Sequence, residues 1–375
     1  MPMEPADARK GSSRGPSTRA VHAGLPEDGQ GTPFLPPPTF AAAYRLAGDA
    51  DASPYGYARY ANPTWTHLER ALGDLEGGEA LVFSSGMAAL TAVALTHARD
   101  GAVVAPADGY PGIRRLATEQ LEPRGHEVRL VPARTEAFVA ACPGAALVFV
   151  ETPSNPLLEV VDIAAVAGAA HAAGALLAVD NSLATPLGQR PLAHGADLSV
   201  SAGTKALSGH SDLLLGVVAA REATLLEPVL AWRSLTGAIA GPFEAWLAHR
   251  SLATLDLRLA RSSDNAQALA GMLAGRDDVS GVRHPSFDPL AHRQMERFGP
   301  LVSFEAGSAG RAQAFLAAAE LVGEATSFGS VHTTGERRAR WGTDAVSDGL
   351  VRLSAGIEDT DDLLADVAAA LDATR

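Results

Sequence analysis

Lys205 stands in the stretch SAGTKALSGHSD (201–212), among glycines, serines and small apolar residues, with no helical or strand period running through it. A lysine held in such a loop can act as a covalent catalyst by forming a Schiff base with a carbonyl. Four other stretches carry residue types that belong with that chemistry. Asp180 ends the apolar run ALLAVD (175–180), 25 residues before the lysine; on its own it reads equally as a capping aspartate. SSGMAAL (84–90) reads as the start of a helix, whose free backbone N–H groups bind phosphate, with Gly86 allowing close approach. Thr204 adds a hydroxyl beside the lysine. Tyr110, in ADGYPGI, is either an ordinary loop tyrosine or a ring placed to stack on a flat ligand. Arg352 interrupts the apolar run LVRLSAG (350–356), so it needs an anion: a structural partner or a bound carboxylate.

An amine nucleophile, an anion for a ring nitrogen, phosphate donors, a stacking ring and a cation for a carboxylate together make up the requirements of a pyridoxal phosphate site. Competing readings fail. No G-x-x-x-x-G-K-[ST] is present, so Lys205 is not a nucleotide-phosphate lysine. His210, Ser211 and Asp212 are adjacent and cannot form a hydrolase relay. The histidines and the lone Cys142 show no metal-ligand spacing, so no metal is expected.

Positioning such a set needs a framework. AVVAP (102–106), EVRLV (127–131), ALVFV (146–150), ALLAV (175–179), DLSV (197–200) and LLLGVVAA (213–220) read as buried strands, and 88–98 and 162–173 as helices between them. This alternation predicts an α/β fold: a mostly parallel sheet with helices on both faces and the site beyond the C-terminal strand ends. Residues 1–56 read as an N-terminal arm, 1–17 disordered, the rest too proline-rich for regular structure. Residues 57–241 form the large cofactor domain. From 242 a long helical stretch leads into a smaller α+β domain with strands near 300–306 and 350–354 and a last helix from about Asp361. An arm of that length suits one that lies across another subunit.

The chain has 375 residues, 47% of them hydrophobic, and 30 basic against 43 acidic residues give a net charge of −13. That balance argues against nucleic acid and against an anionic membrane surface as partners. The N-terminus has no apolar run, no transmembrane stretch appears, and the single cysteine fits a reducing compartment. A cytoplasmic protein is expected.

The segments YARYANPTWTHLERALGDLEGGEA, SSGMAAL, ETPSNPLLEVVDI, VDNSLATP, GTKALSGHSD and LVRLSAGIEDTDDLLADV, taken as a set, resemble the cystathionine γ-synthase-like family of pyridoxal-phosphate enzymes, from about Thr18 to the C-terminus. The resemblance implies a fold-type I transferase in which Lys205 forms the Schiff base, Asp180 meets the pyridine nitrogen and Tyr110 stacks on the ring and transfers protons. It implies that Ser85, Gly86, Met87 and Thr204 hold the phosphate. Tyr57 and Arg59 would reach the phosphate of a neighbouring subunit, making the protein a homotetramer built as a dimer of dimers. Asn155 and Arg352 would take the substrate carboxylate, and Ser327 would line the pocket. An arginine from the neighbouring subunit would make Tyr110 more acidic.

The implied reaction is α,γ-elimination on L-methionine or L-cystathionine, giving 2-oxobutanoate, ammonia and a thiol. The alternatives are γ-replacement on an activated homoserine and, remotely, a non-catalytic cofactor-binding subunit. Four departures stand out. Ala202 replaces a usual phosphate serine, for which Ser201 is the candidate substitute. Gly112 stands where methionine γ-lyases have cysteine. His332 stands where many cystathionine-cleaving members have glutamate. GERRARWGTDAVSDG (335–349) replaces the usual Pro-x-x-Met-Thr-His run.

Overall fold

The computed structural model of the chain describes residues 14–26 and 29–375. The expected disorder of 1–17 falls mostly outside them. Its last residues do not fit it: Pro16–His22 is a short helix, with proline at its start.

Seven strands form the first sheet: β1 (Glu79–Phe83), β2 (Ala102–Pro106), β3 (Val128–Val131), β4 (Ala145–Glu151), β5 (Leu176–Asp180), β6 (Leu198–Ala202) and β7 (Gly216–Ala220). Their order is β1-β7-β6-β5-β4-β2-β3, and only β7 runs antiparallel to its neighbours. Alternation along the strands sorts the core. Val217 and Ala219 join Trp65, Leu68 and Leu72 on one face. Val218 and Ala220 join Phe83, Leu90 and Val93 on the other. The expected helices on both faces of a mostly parallel sheet are present. The Gly86–His97 helix is capped by Ser85, whose Oγ accepts from Ala88 N at 3.1 Å. The Ile163–Ala172 helix is capped in the same way by Asp162.

The helical stretch expected after Gly241 is two helices, Pro242–Leu252 and Leu255–Ala274, broken at Ala253 and Thr254. The second sheet follows: β8 (Ser280–Arg283), β9 (Leu301–Glu305), β10 (Gly323–Glu324), β11 (Thr334–Arg337) and β12 (Leu350–Ser354), in the order β10-β11-β12-β9-β8. The sequence reading found β9 and β12 and missed β8, β10 and β11, which are short and poor in consecutive β-branched residues. Val351 and Leu353 of β12 enter a core with Phe304, Phe315 and Leu363. Arg352, between them, therefore points out of that core, toward the first sheet.

Candidate active site

The C-terminal ends of β2, β4, β5 and β6 deliver the site. Tyr110 follows β2, Glu151 ends β4, Asp180 ends β5, and Lys205 lies three residues beyond β6. The strand order turns between β2 and β4, which is where open α/β sheets bind their ligands.

Lys205 Nζ donates to Ser327 Oγ at 2.5 Å and sits 4.8 Å from the centre of the Phe328 ring. Burial, and next the charge of Arg352, pull its pKa down to about 8. About a tenth of the amine is then neutral at pH 7, against well under a hundredth for an ordinary lysine, and the neutral form is the nucleophile. Ser327 has a φ of 78°, a left-handed conformation uncommon for a residue with a side chain. Its carbonyl accepts from Arg352 Nη2 at 2.6 Å, so one constrained residue touches both cations. The neighbouring Gly329 has φ 79°, and a Cβ there would lie 2.6 Å from Ala206 N; only glycine lets this segment press on the lysine loop.

Asp180 is buried, and Oδ1 accepts from Ser182 N at 2.9 Å. Burial raises its pKa despite Ser182 and Lys205. Glu151, its register partner on β4, is raised well above the carboxylate range by burial and by Asp180. Glu151 holds two loops at once: Oε2 accepts from Tyr110 N at 2.5 Å and Oε1 from Asn155 N at 3.1 Å. Sequence reading missed this residue, although a glutamate ending an apolar strand beside Asp180 was a legible signal.

The Tyr110 ring packs over Gly112. A Cβ at 112 would come within 2.4 Å of the ring and 2.6 Å of Met87 Sδ, so a cysteine there would displace the ring. The expected acidification of Tyr110 rests on an arginine of a neighbouring subunit; within one chain the balance runs the other way. Burial, then the Asp180 and Glu151 carboxylates, raise it. Arg59 makes its contacts elsewhere, donating to the Ser234 carbonyl and stacking on Tyr60 (4.7 Å) and Tyr57 (5.6 Å).

Gly86 also has a packing role. A Cβ there would meet Ala202 Cβ at 2.7 Å, so glycine lets the helix start lie on the end of β6. This contact also corrects the reading of Ser201. Ala202 faces the Gly86–His97 helix, as Leu198 and Val200 do, so Ser201 points to the opposite face. There its Oγ is buried without a partner and cannot replace the missing hydroxyl. Thr204 Oγ1 accepts from Leu215 N at 2.9 Å.

Arg352 is buried. Nη1 donates to Asn155 Oδ1 at 2.7 Å, Nη2 donates to Glu336 as well as to Ser327, and Nε has no partner. Burial lowers its pKa to about 10, which leaves it charged. A cavity of about 660 Å³ opens beside these residues, lined by Ser84, Thr204, Leu213, Ser327 and Phe328 among others. His332 is exposed and does not line it.

The donor set suits pyridoxal phosphate: an amine of lowered pKa, a buried carboxylate, a helix start, a ring, and a buried arginine with an orphaned N–H aimed at no protein acceptor. Comparison with known proteins decides the family. The model of the Cys/Met metabolism PLP-dependent enzymes matches residues 17–372. The chain belongs to that family. It is a pyridoxal-phosphate-dependent enzyme of cysteine and methionine metabolism. It is 52% identical to a putative cystathionine gamma-lyase of Streptomyces coelicolor, over 98% of this chain and 96% of that one. It is 37% identical to an L-methionine gamma-lyase of Pseudomonas putida, over 96% and 97%. The crystal structure of a cystathionine gamma synthase from Xanthomonas oryzae superposes with a TM-score of 0.90 at 35% identity, covering 96% of this chain and all of that one. These neighbours share the fold-type I architecture. Among the described residues no helix is long and apolar enough to cross a membrane, and no group of His, Cys, Asp or Glu could hold a metal ion.

Proposed function

We propose that this enzyme catalyses α,γ-elimination on a sulfur amino acid, L-cystathionine foremost and L-methionine next, releasing 2-oxobutanoate, ammonia and a thiol. The observation that carries the reading is the placing of Lys205, an amine of pKa about 8, in the fields of Asp180 and Arg352. Pyridoxal phosphate, when bound, supplies the aldehyde that captures the substrate amine and the ring that takes up the electrons freed at Cα.

The chain's own residues do the rest. Asp180, buried and with one oxygen already fixed by Ser182, presents a carboxylate to the ring nitrogen. Backbone N–H groups at Gly86 and Met87, with Ser85 and Thr204, would hold the phosphate. Arg352 and Asn155 hold the substrate α-carboxylate, and Ser327 fixes the pocket wall. Lys205 Nζ takes the Cα proton, and a second proton then leaves Cβ, whose electron pair expels the γ-sulfur. Tyr110, whose raised pKa keeps the proton on its Oη at neutral pH, stacks on the ring and donates to the departing sulfur. The name of the 52%-identical relative favours cystathionine.

The proposal includes the assembly. Phe34 (92% exposed), Phe40 (71%) and Tyr57 (47%) leave apolar surface on the arm, the kind that a second copy covers. Tyr57 and Arg59 then complete the phosphate site of the neighbouring subunit in a dimer of dimers. The division into an arm (1–56), a large domain (57–241) and a C-terminal domain (242–375) belongs to the same proposal.

The test is 2-oxobutanoate release by cofactor-loaded protein, with L-cystathionine and L-methionine in parallel. Release from cystathionine supports the first choice; release from methionine alone moves the enzyme to the methionine side. Product only from an activated homoserine with cysteine establishes the second reading, γ-replacement, which the Xanthomonas neighbour favours. Silence on all three, with normal cofactor absorbance, indicates a non-catalytic subunit.

A further inference from the structure

The segment 335–349, which departs from the usual run, does not line the cavity with its charged residues; it builds a buried ion network behind Arg352. Glu336 on β11 stands opposite Arg352 on β12 in the antiparallel register. Only 1% of Glu336 is exposed. Oε1 accepts from Arg352 and, at 2.6 Å, from Arg338 Nη1, and Oε2 accepts from Trp341 Nε1 at 2.8 Å. With both oxygens engaged, the carboxylate has one orientation. Arg338 is held in turn by Asp344 Oδ2, at 2.9 Å from Nε and 2.5 Å from Nη2. Burial opposes the charge on Glu336, but Arg352, Trp341 and Arg338 together hold its pKa below the usual range.

We propose that Glu336, braced by Arg338, Trp341 and Asp344, is the positioning residue that fixes the plane of Arg352 for the substrate carboxylate. The other acceptors of Arg352 are neutral: the Asn155 amide and the Ser327 carbonyl. Among the described residues, Glu336 alone touches Arg352 with an opposite charge. It also meets a need that exists before substrate arrives, because a buried guanidinium with no counter-charge is costly. The cross-strand pair fixes one end of the guanidinium, and Nε–H is buried without a protein partner. The inference rests on the reading that Arg352 binds that carboxylate.

The experiment uses holoenzyme and the substrate that turns over in the assay above, with kcat and KM for wild type, Glu336→Ala, Glu336→Gln and Arg352→Lys. Glu336→Ala is expected to raise KM about 10- to 100-fold, the loss of a charge-assisted bond, with kcat within about threefold of wild type. Glu336→Gln keeps an oxygen acceptor and is expected to recover a large part of that loss. Arg352→Lys is expected to raise KM as well. Unchanged KM in both Glu336 variants, alongside a raised KM in Arg352→Lys, overturns the role of Glu336 alone. Unchanged KM in Arg352→Lys overturns the reading of Arg352 and this inference with it. If Glu336→Ala yields no folded holoenzyme, Glu336→Gln decides: a KM at least about threefold above wild type supports the role, and a KM at the wild-type value overturns it.

Discussion

The two sheets treat buried charge in opposite ways. At the C-terminal ends of the first sheet, ionisable groups lean on neutral partners: Asp180 on Ser182, Glu151 on two backbone N–H groups, Lys205 on the Ser327 hydroxyl. Each is pushed toward its uncharged form. On the second sheet, Arg352, Glu336, Arg338 and Asp344 alternate in sign along a chain of ion pairs. The difference separates two tasks. Groups that exchange protons or bind a cofactor need a poised titration; groups that recognise a fixed carboxylate need a permanent charge in one place.

The comparison is sharpest where one side can be removed outright. Lys205→Ala is expected to abolish turnover and the absorbance of the lysine-bound cofactor, read by spectrum and assay; retention of both would sink the assignment. Asp180→Asn keeps the shape and removes the charge, and is expected to cost on the order of 10²–10³ in kcat with weaker cofactor retention. On the second sheet the largest response is in stability. Arg338→Met leaves Glu336 and Asp344 short of a counter-charge and is expected to destabilise by about 3–5 kcal/mol in a denaturant titration, a cost that applies when a buried pair is broken from one side. An effect under about 1 kcal/mol would mean that the network is wetter than its geometry says.

Two smaller effects test the first sheet's poise. Cofactor capture by apoenzyme follows the neutral form of Lys205, so its rate is expected to rise with pH, with a midpoint about 8, and to level off above it. Arg352→Gln removes the second-largest cause of that lowering and is expected to move the midpoint to higher pH; an unmoved midpoint breaks the link between the two regions. Gly112→Cys is expected to lower kcat by about tenfold or less by displacing the Tyr110 ring, with fluorescence or absorbance of the bound cofactor reporting the change in stacking.

Much of the site was legible because its chemistry depends on residue type. A lysine in a small-residue loop, an aspartate ending an apolar strand and an arginine inside one are each out of place locally, and the structure brings Lys205, Asp180 and Arg352 to one region. The strand rhythm of 102–220 was legible for a related reason: strands buried on both faces must be apolar throughout. Glu151 ends an apolar strand as Asp180 does and could have been found that way; Glu336 was harder to see, because a single glutamate in a polar-looking run carries no sign of burial. Ser201 was misread because adjacency in sequence is the opposite of adjacency in a strand, where neighbours point to opposite faces.

Residue types and their order along the chain determined by themselves the family, the cofactor and the α/β framework, because a Schiff-base lysine and its partners must be covalently present and buried strands must be apolar. Only the tertiary structure decided that Ser327 in a left-handed turn joins Lys205 to Arg352, that Ser201 faces away, and that Glu336 braces the arginine. Those outcomes depend on strand register, side-chain direction and the cost of leaving a buried charge alone, and each is set by contacts between residues distant in sequence.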